Sequence, residues 1–223
     1  MNMKTVFSTI AGGLLAVACT TDAYDKGEGS YSYVKTELVC AHIASDQSMD
    51  YIDTDEGERL TVSPAYTARW IARADTTYRA IAYYDCKTEG VARMLSSSRV
   101  SVVVPRPATA AVGDIKTDPV RMESMWVSTN RRYLNATIYV LVGSTDDDEA
   151  VHRLGLIADT LTMNADSTTT LHVRLYHDQG GVPEYYSQRA VFSVPLDSIT
   201  ADSISFTVNT YAAGNVIRRF STF

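Results

Sequence analysis

The chain has 223 residues, 45% of them hydrophobic, and its 26 acidic against 20 basic side chains give a formal net charge of −6. A mildly acidic chain with no run of Lys and Arg lacks the electrostatic footprint of nucleic-acid binding, and no stretch is apolar for the length of a membrane-spanning helix. The apolar content supports real hydrophobic cores, and the length fits one large or two small domains.

Met1 to Cys19, MNMKTVFSTIAGGLLAVAC, reads as an export signal: Lys4 supplies a positive start and Val6 to Val17 is an apolar run interrupted only by small residues. Ala18-Cys19 matches the small-residue-then-cysteine step of a lipoprotein signal, although Ala16 stands where such signals carry Leu. Ala16-Val17-Ala18 also fits the ordinary small-x-small cleavage rule, so a soluble exported product is the alternative. The favoured division is a signal peptide over 1–18 and a lipidated tether over 19–30, with Cys19 as the lipid attachment. This expects an outer-membrane lipoprotein of the cell envelope, on its periplasmic or surface face. Cys40 and Cys86 then remain, and in an oxidising compartment they are expected to pair as a disulfide, two free thiols being the alternative.

From Tyr31 the pattern becomes short alternating runs rich in Val, Tyr, Thr and Ile, with turn residues about every ten positions. Strands are expected over 33–43, 49–53, 59–62, 78–86 and 99–104, with Gly57 closing a hairpin and a helical turn near 65–74. Five such strands predict an OB-like barrel over 31–110. Pro105 to Gly113, a Pro- and Ala-rich break, marks the expected boundary. Strands at 119–127, 133–142, 151–157, 168–177, 188–195, 204–211 and 216–220 then predict an antiparallel β-sandwich over 111–223, with polar loops at 143–149, 159–166 and 178–183. The fold class is therefore all-β.

The residues along this path resemble the NigD-like family of exported lipoproteins, named for a bacteriocin gene cluster in Gram-negative bacteria and without an established molecular activity. The resemblance rests on Asp53 to Leu60 (DTDEGERL), Tyr78 to Tyr84 (YRAIAYY), Asp118-Pro119, Trp126, Tyr133-Leu134-Asn135, His152 and Leu175 to His177. It implies an OB-like domain followed by a β-sandwich, the same architecture the strand pattern gives. Glu56 replaces the second Asp of the family hairpin.

Motifs of chemistry are sparse. Gly-x-Ser-x-Gly, a phosphate loop and Gly-x-Gly-x-x-Gly are missing, and the four histidines lack metal-ligand spacing. His152 and His177 fit a contact across neighbouring strands better than a metal site. Asp53, Asp55 and Gly57 imitate only the start of a calcium loop; Asp146 to Glu149 is the better cation candidate, its carboxylates clustered on a loop, although such a run is usually a solvated hairpin tip. No cofactor or metal is expected. Among the 14 tyrosines, Tyr185-Tyr186 stand beside Gly180-Gly181, so the expected partner contact is Asp178, Gly180, Gly181, Tyr185 and Tyr186. The leading expectation is a non-catalytic envelope module that binds a protein or glycan. A bacteriocin-associated structural or immunity accessory and an unrecognised hydrolase are the alternatives, and oligomeric state is left open.

Overall fold

The computed structural model describes residues 33–110, 113–147 and 149–223. The export signal, the tether and Cys19 lie outside the described residues. Residues 33–223 form one compact unit.

Its first part is a closed barrel of β1 (Val34–Ile43), β2 (Met49–Thr54), β3 (Arg59–Tyr66), β4 (Thr76–Asp85) and β5 (Val91–Arg99). The order around the barrel is β1-β2-β3-β5-β4, with a short parallel contact between β3 and β5. This is the OB-like arrangement expected. Alternation builds its interior: Val39, Ala41 and Ile43 of β1 face Ala80, Ala82 and Tyr84 of β4, with Leu60 and Val62 of β3. Small alanines on two strands leave room for the Tyr84 ring, which is fully buried. Its hydroxyl donates to Glu37 at 3.0 Å, so the polar atom this ring carries into the barrel wall is satisfied.

The fifth barrel strand lies at Val91–Arg99, not at 99–104, because the Ser96-Ser97-Ser98 run pairs along β4 with its polar side chains mostly outward. The helical turn expected near 65–74 is absent; β3 runs on to Tyr66 and a turn from Ala68 to Ile71 follows. Cys40 lies on β1 and Cys86 directly follows the end of β4, and both are free. Cys40 sits opposite Arg79, whereas Cys86 hydrogen-bonds to Tyr33 at the far end of β1. At about 3.4 Å per residue, that register holds them roughly 24 Å apart, far beyond disulfide reach.

The sandwich begins earlier than the Pro- and Ala-rich break. β6 (Ser101–Val102) and β7 (Arg106–Pro107) already belong to its two sheets, so that segment is edge structure rather than a linker. β8 (Arg121–Val127), β9 (Tyr133–Val142), β10 (Arg153–Met163), β11 (Thr169–Asp178), β12 (Tyr186–Pro195), β13 (Ser203–Thr210) and β14 (Gly214–Ser221) complete it. One sheet runs β14-β13-β11-β10-β7 and the other β6-β12-β9-β8. β10 continues past its expected end to Met163 through an irregularity between Ala158 and Thr160. Leu134, Ala136, Ile138 and Val140 of β9 pack with Phe192 and Val194 of β12 against Leu156, Val173, Leu175, Ile204, Phe206 and Val208 of the opposite sheet. The pairing is mainly antiparallel, but β11 and β13 run parallel because the chain crosses to the other sheet as β12 and returns.

Candidate functional site at one end of the sandwich

The end of β9, the start of β10, the end of β11 and the start of β12 meet at one end of the sandwich. The register fixes this, since Val142 pairs with Tyr186 and Arg153 with Asp178. The five residues expected to contact a partner are all here, but their roles divide. Asp178 and Gly180 build the corner: the Gly180 N–H donates to Asp178 Oδ1 at 3.0 Å, and Asp178 Oδ2 accepts from Arg153 at 3.2 Å. Gly180 has φ +57° and lies so close to the Val151 carbonyl that an added Cβ would sit 2.2 Å from its oxygen.

Tyr185 and Tyr186 form the exposed face. They are 72% and 69% exposed, and their rings meet edge to face with centroids 6.4 Å apart. Large aromatic rings left this open on an ordered strand start are unusual surface for a folded domain. They are held from beneath: the Tyr185 N–H donates to Val142 O at 3.0 Å, and Gly143 is seated against the Tyr185 ring and Pro183. Tyr211, nearly half exposed, lies beside Leu141 and Ser187 at the same end; burial of its hydroxyl and then the Glu184 charge raise its pKa.

Gln179 pins the corner from inside. Its backbone N–H donates to Asp118 Oδ2 at 2.7 Å, and its side-chain amide donates to Leu141 O at 2.9 Å and Val182 O at 2.8 Å. His177, fully buried, contacts His152 at 3.1 Å between ring nitrogens, so the expected cross-strand contact is a hydrogen bond. Burial lowers the His177 pKa first of all, with the adjacent His152 acting in the same direction and the Asp118 carbonyl opposing. No group of three or more His, Cys, Asp or Glu side chains converges among the described residues.

Sequence reasoning located the tyrosines, but not Gln179, Gly143 or Glu184. A Gly at the end of a strand was the one available signal for Gly143; nothing local marks Gln179.

A second cluster joins the barrel to the sandwich. Arg79 of β4, 4% exposed, donates to Asp55 at 2.6 Å, to Asn135 at 3.1 Å and to Ser193 at 3.1 Å, and its guanidinium lies 4.2 Å from the centre of the Tyr133 ring. Asn135 also donates to Asp55 at 2.9 Å, and Ser193 donates to Asn135 at 2.7 Å. Asn130 adds a 2.8 Å bond from its N–H to Asp55 O. Asp55, Arg79, Tyr133 and Asn135 come from three separate stretches of the family resemblance, and here they close on one another. The cluster is a clasp: through the buried Arg79 and Asn135 it ties barrel residues to sandwich residues and so holds the molecule together.

Residues 103–221 match the profile of the NigD-like C-terminal beta sandwich domain. The chain belongs to the NigD-like family. Among solved structures, it is similar to a NigD-like immunity protein from Bacteroides caccae, with 27% identity, TM-score 0.62, and coverage of 83% of this chain and 91% of that one. A protein of unknown function from Bacteroides vulgatus shares the fold at 18% identity and TM-score 0.62, covering 84% of this chain and 90% of its own. A Bacteroides fragilis protein with a provisional lipoprotein name shares it at 12% identity and TM-score 0.55, covering 84% and 96%. No curated protein sequence matches the chain. The NigD-like family resemblance thus holds over the sandwich by profile and over most of both β bodies by fold.

Proposed function

We propose that the chain is a non-catalytic binding module of the cell envelope, anchored through Cys19 at the outer membrane, whose partner contact is the sandwich end around Tyr185 and Tyr186. The observation that carries this reading is the pair of adjacent tyrosine rings, about 70% exposed, on backbone fixed by the Val142 hydrogen bond and the Gly143 seat. A preorganised aromatic pair adds contact area at little entropic cost, which is the character of an interface anchor. Similarity to the Bacteroides caccae immunity protein favours a protein partner over a glycan and supports a bacteriocin-associated accessory role as the second reading. The export signal and Ala18-Cys19 support the envelope address.

The test is capture of detergent-solubilised envelope proteins by the purified chain, compared with a Tyr185→Ala, Tyr186→Ala double variant. Loss of two anchors is expected to weaken capture by at least about tenfold. Undiminished capture discards the surface. Turnover of a generic ester, glycoside or peptide substrate, abolished by substituting one His or carboxylate, replaces the binding reading with catalysis.

A further inference from the structure

The contacts of His152 and His177 can be counted in protons. His177 Nδ1 lies 3.0 Å from Asp118 O, and His152 Nε2 lies 2.9 Å from Leu141 O. A carbonyl oxygen only accepts, so both ring nitrogens carry a proton. The remaining two nitrogens, His152 Nδ1 and His177 Nε2, face each other at 3.1 Å. That third contact needs a proton as well. Two neutral imidazoles carry only two N–H groups, so the arrangement with all three contacts made holds one proton more.

The ring planes are 11° apart with centroids 5.4 Å apart, which is the 3.1 Å nitrogen separation plus one ring radius on each side. The rings therefore meet edge to edge, with the facing nitrogens on the line between centres. A zinc-like ion on that line would need nitrogens about 4 Å apart, so the contact fits a proton and not a metal. The extra proton belongs on His152. His177 is fully buried and its burial opposes charge, whereas His152 is only partly buried.

Charges surround the pair on several elements. Before β8 stand the Asp118 carboxylate, bonded to the Gln179 N–H, and Lys116, whose carbonyl accepts the His177 N–H. Asp178 on β11 is paired with Arg153 on β10, and Asp147 and Glu149 precede His152. On the tyrosine side stands Glu184, whose charge acts on Tyr211. Leu141 and Asn209, which face the corner from β9 and β13, are uncharged.

We propose that His152 and His177 form a proton-operated latch beneath the tyrosine face, closed when the pair holds one extra proton and loosened when it does not. With that proton gone, His152 keeps Leu141 and sets two lone pairs against each other, or turns its proton to His177 and sets a lone pair against the Leu141 carbonyl. A change of tautomer at His177 fails in the same way at Asp118. One contact is lost in every case. Leu141 adjoins Val142, which holds Tyr185, so the latch acts on the backbone that presents the aromatic pair. A histidine changes charge between about pH 5 and 8, so the latch tightens on acidification within that range.

As a regulator of binding, the latch rests on the proposed tyrosine contact, but its test needs no partner, so the two readings fail separately. Ring-nitrogen NMR of the purified chain between about pH 5 and 8 is expected to show one proton taken up by His152, while His177 stays neutral and Nδ1-protonated. Hydrogen exchange, corrected for its intrinsic pH dependence, is expected to show about tenfold greater protection of the Tyr185 amide at about pH 5.5 than at about pH 7.5. In His152→Gln, whose amide still offers a donor to Leu141, that pH dependence is expected to vanish. A pair that stays doubly neutral at about pH 5.5, or a Tyr185 pH dependence that persists in His152→Gln, overturns the latch.

Discussion

Tyr133 is the aromatic member of the clasp between the two β bodies. The Cys40 thiol donates to its hydroxyl at 3.5 Å, and the Arg79 guanidinium covers its ring. Burial, then the Cys40 contact, push the Tyr133 pKa up to about 12, against the opposing pull of Arg79 and Arg132. Tyr84 in the barrel is raised further, again by burial first and then by the Glu37 charge beside it. Both phenols are therefore more firmly protonated in the folded chain than in the unfolded one, whose tyrosines titrate near pH 10. The resulting stability is fully present below about pH 10 and is lost as pH rises from there through the folded values. Urea unfolding between about pH 9 and 12 is expected to show this falling limb, and Tyr133→Phe to make it shallower. An unchanged slope in that variant removes Tyr133 from the account. Cys40 shows what single residues conceal in a sequence: its strand was readable, but its partner depends on register, which places Arg79 and not Cys86 across from it.

At the scale of elements, strands were legible wherever one face is buried and the other is wet. β11 and the first half of β3 alternate clearly, whereas β5 carries three consecutive serines, and β6 and β7 are two residues each, too short for any period to register. The tail of β10 reads as loop because ADTLTM is polar and sits where the chain irregularly re-registers on β11. The candidate corner was legible in Asp178 and in its aromatic and glycine residues, but not in the carbonyls that hold it, which carry no side-chain signature. Its two glycines differ in a way that experiment can separate. Gly181 has φ +77° with open space around the missing Cβ, so Gly181→Ala meets only the left-handed backbone penalty of about 1–2 kcal/mol. Gly180 shares that penalty and in addition meets the Val151 carbonyl at 2.2 Å, which backbone must yield to relieve. Gly180→Ala is expected to lower stability by about 1–3 kcal/mol more than Gly181→Ala in thermal or urea unfolding. Equal losses mean the Val151 contact does not constrain the corner.

For the whole molecule, the order of the family's short motifs was visible in the sequence, but their meeting point was not, since Asp55, Arg79 and Asn135 are brought together only by closing a barrel against a sandwich. The consequence is mechanical. Arg79 is nearly without solvent and bonds groups from both bodies, so removing it leaves Asp55 and Asn135 without their main partner and opens a void. Truncating one member of a buried ion pair typically costs about 3–5 kcal/mol, a large share of a domain's stability. Because the clasp spans the junction, that loss falls on the coupling between the bodies as well as on either one. The two tryptophans allow the coupling to be read directly. Trp70 packs on the barrel core and donates to the Ser97 carbonyl at 3.2 Å, whereas Trp126 lies on β8 of the sandwich. Trp126→Phe leaves a barrel reporter and Trp70→Phe a sandwich reporter. In the parent chain, their fluorescence is expected to change at the same urea concentration, as one cooperative unit requires. With Arg79→Ala added to each, both midpoints are expected to fall and to separate. Midpoints that stay coincident after Arg79 is removed show that apolar contacts, not the clasp, couple the barrel to the sandwich.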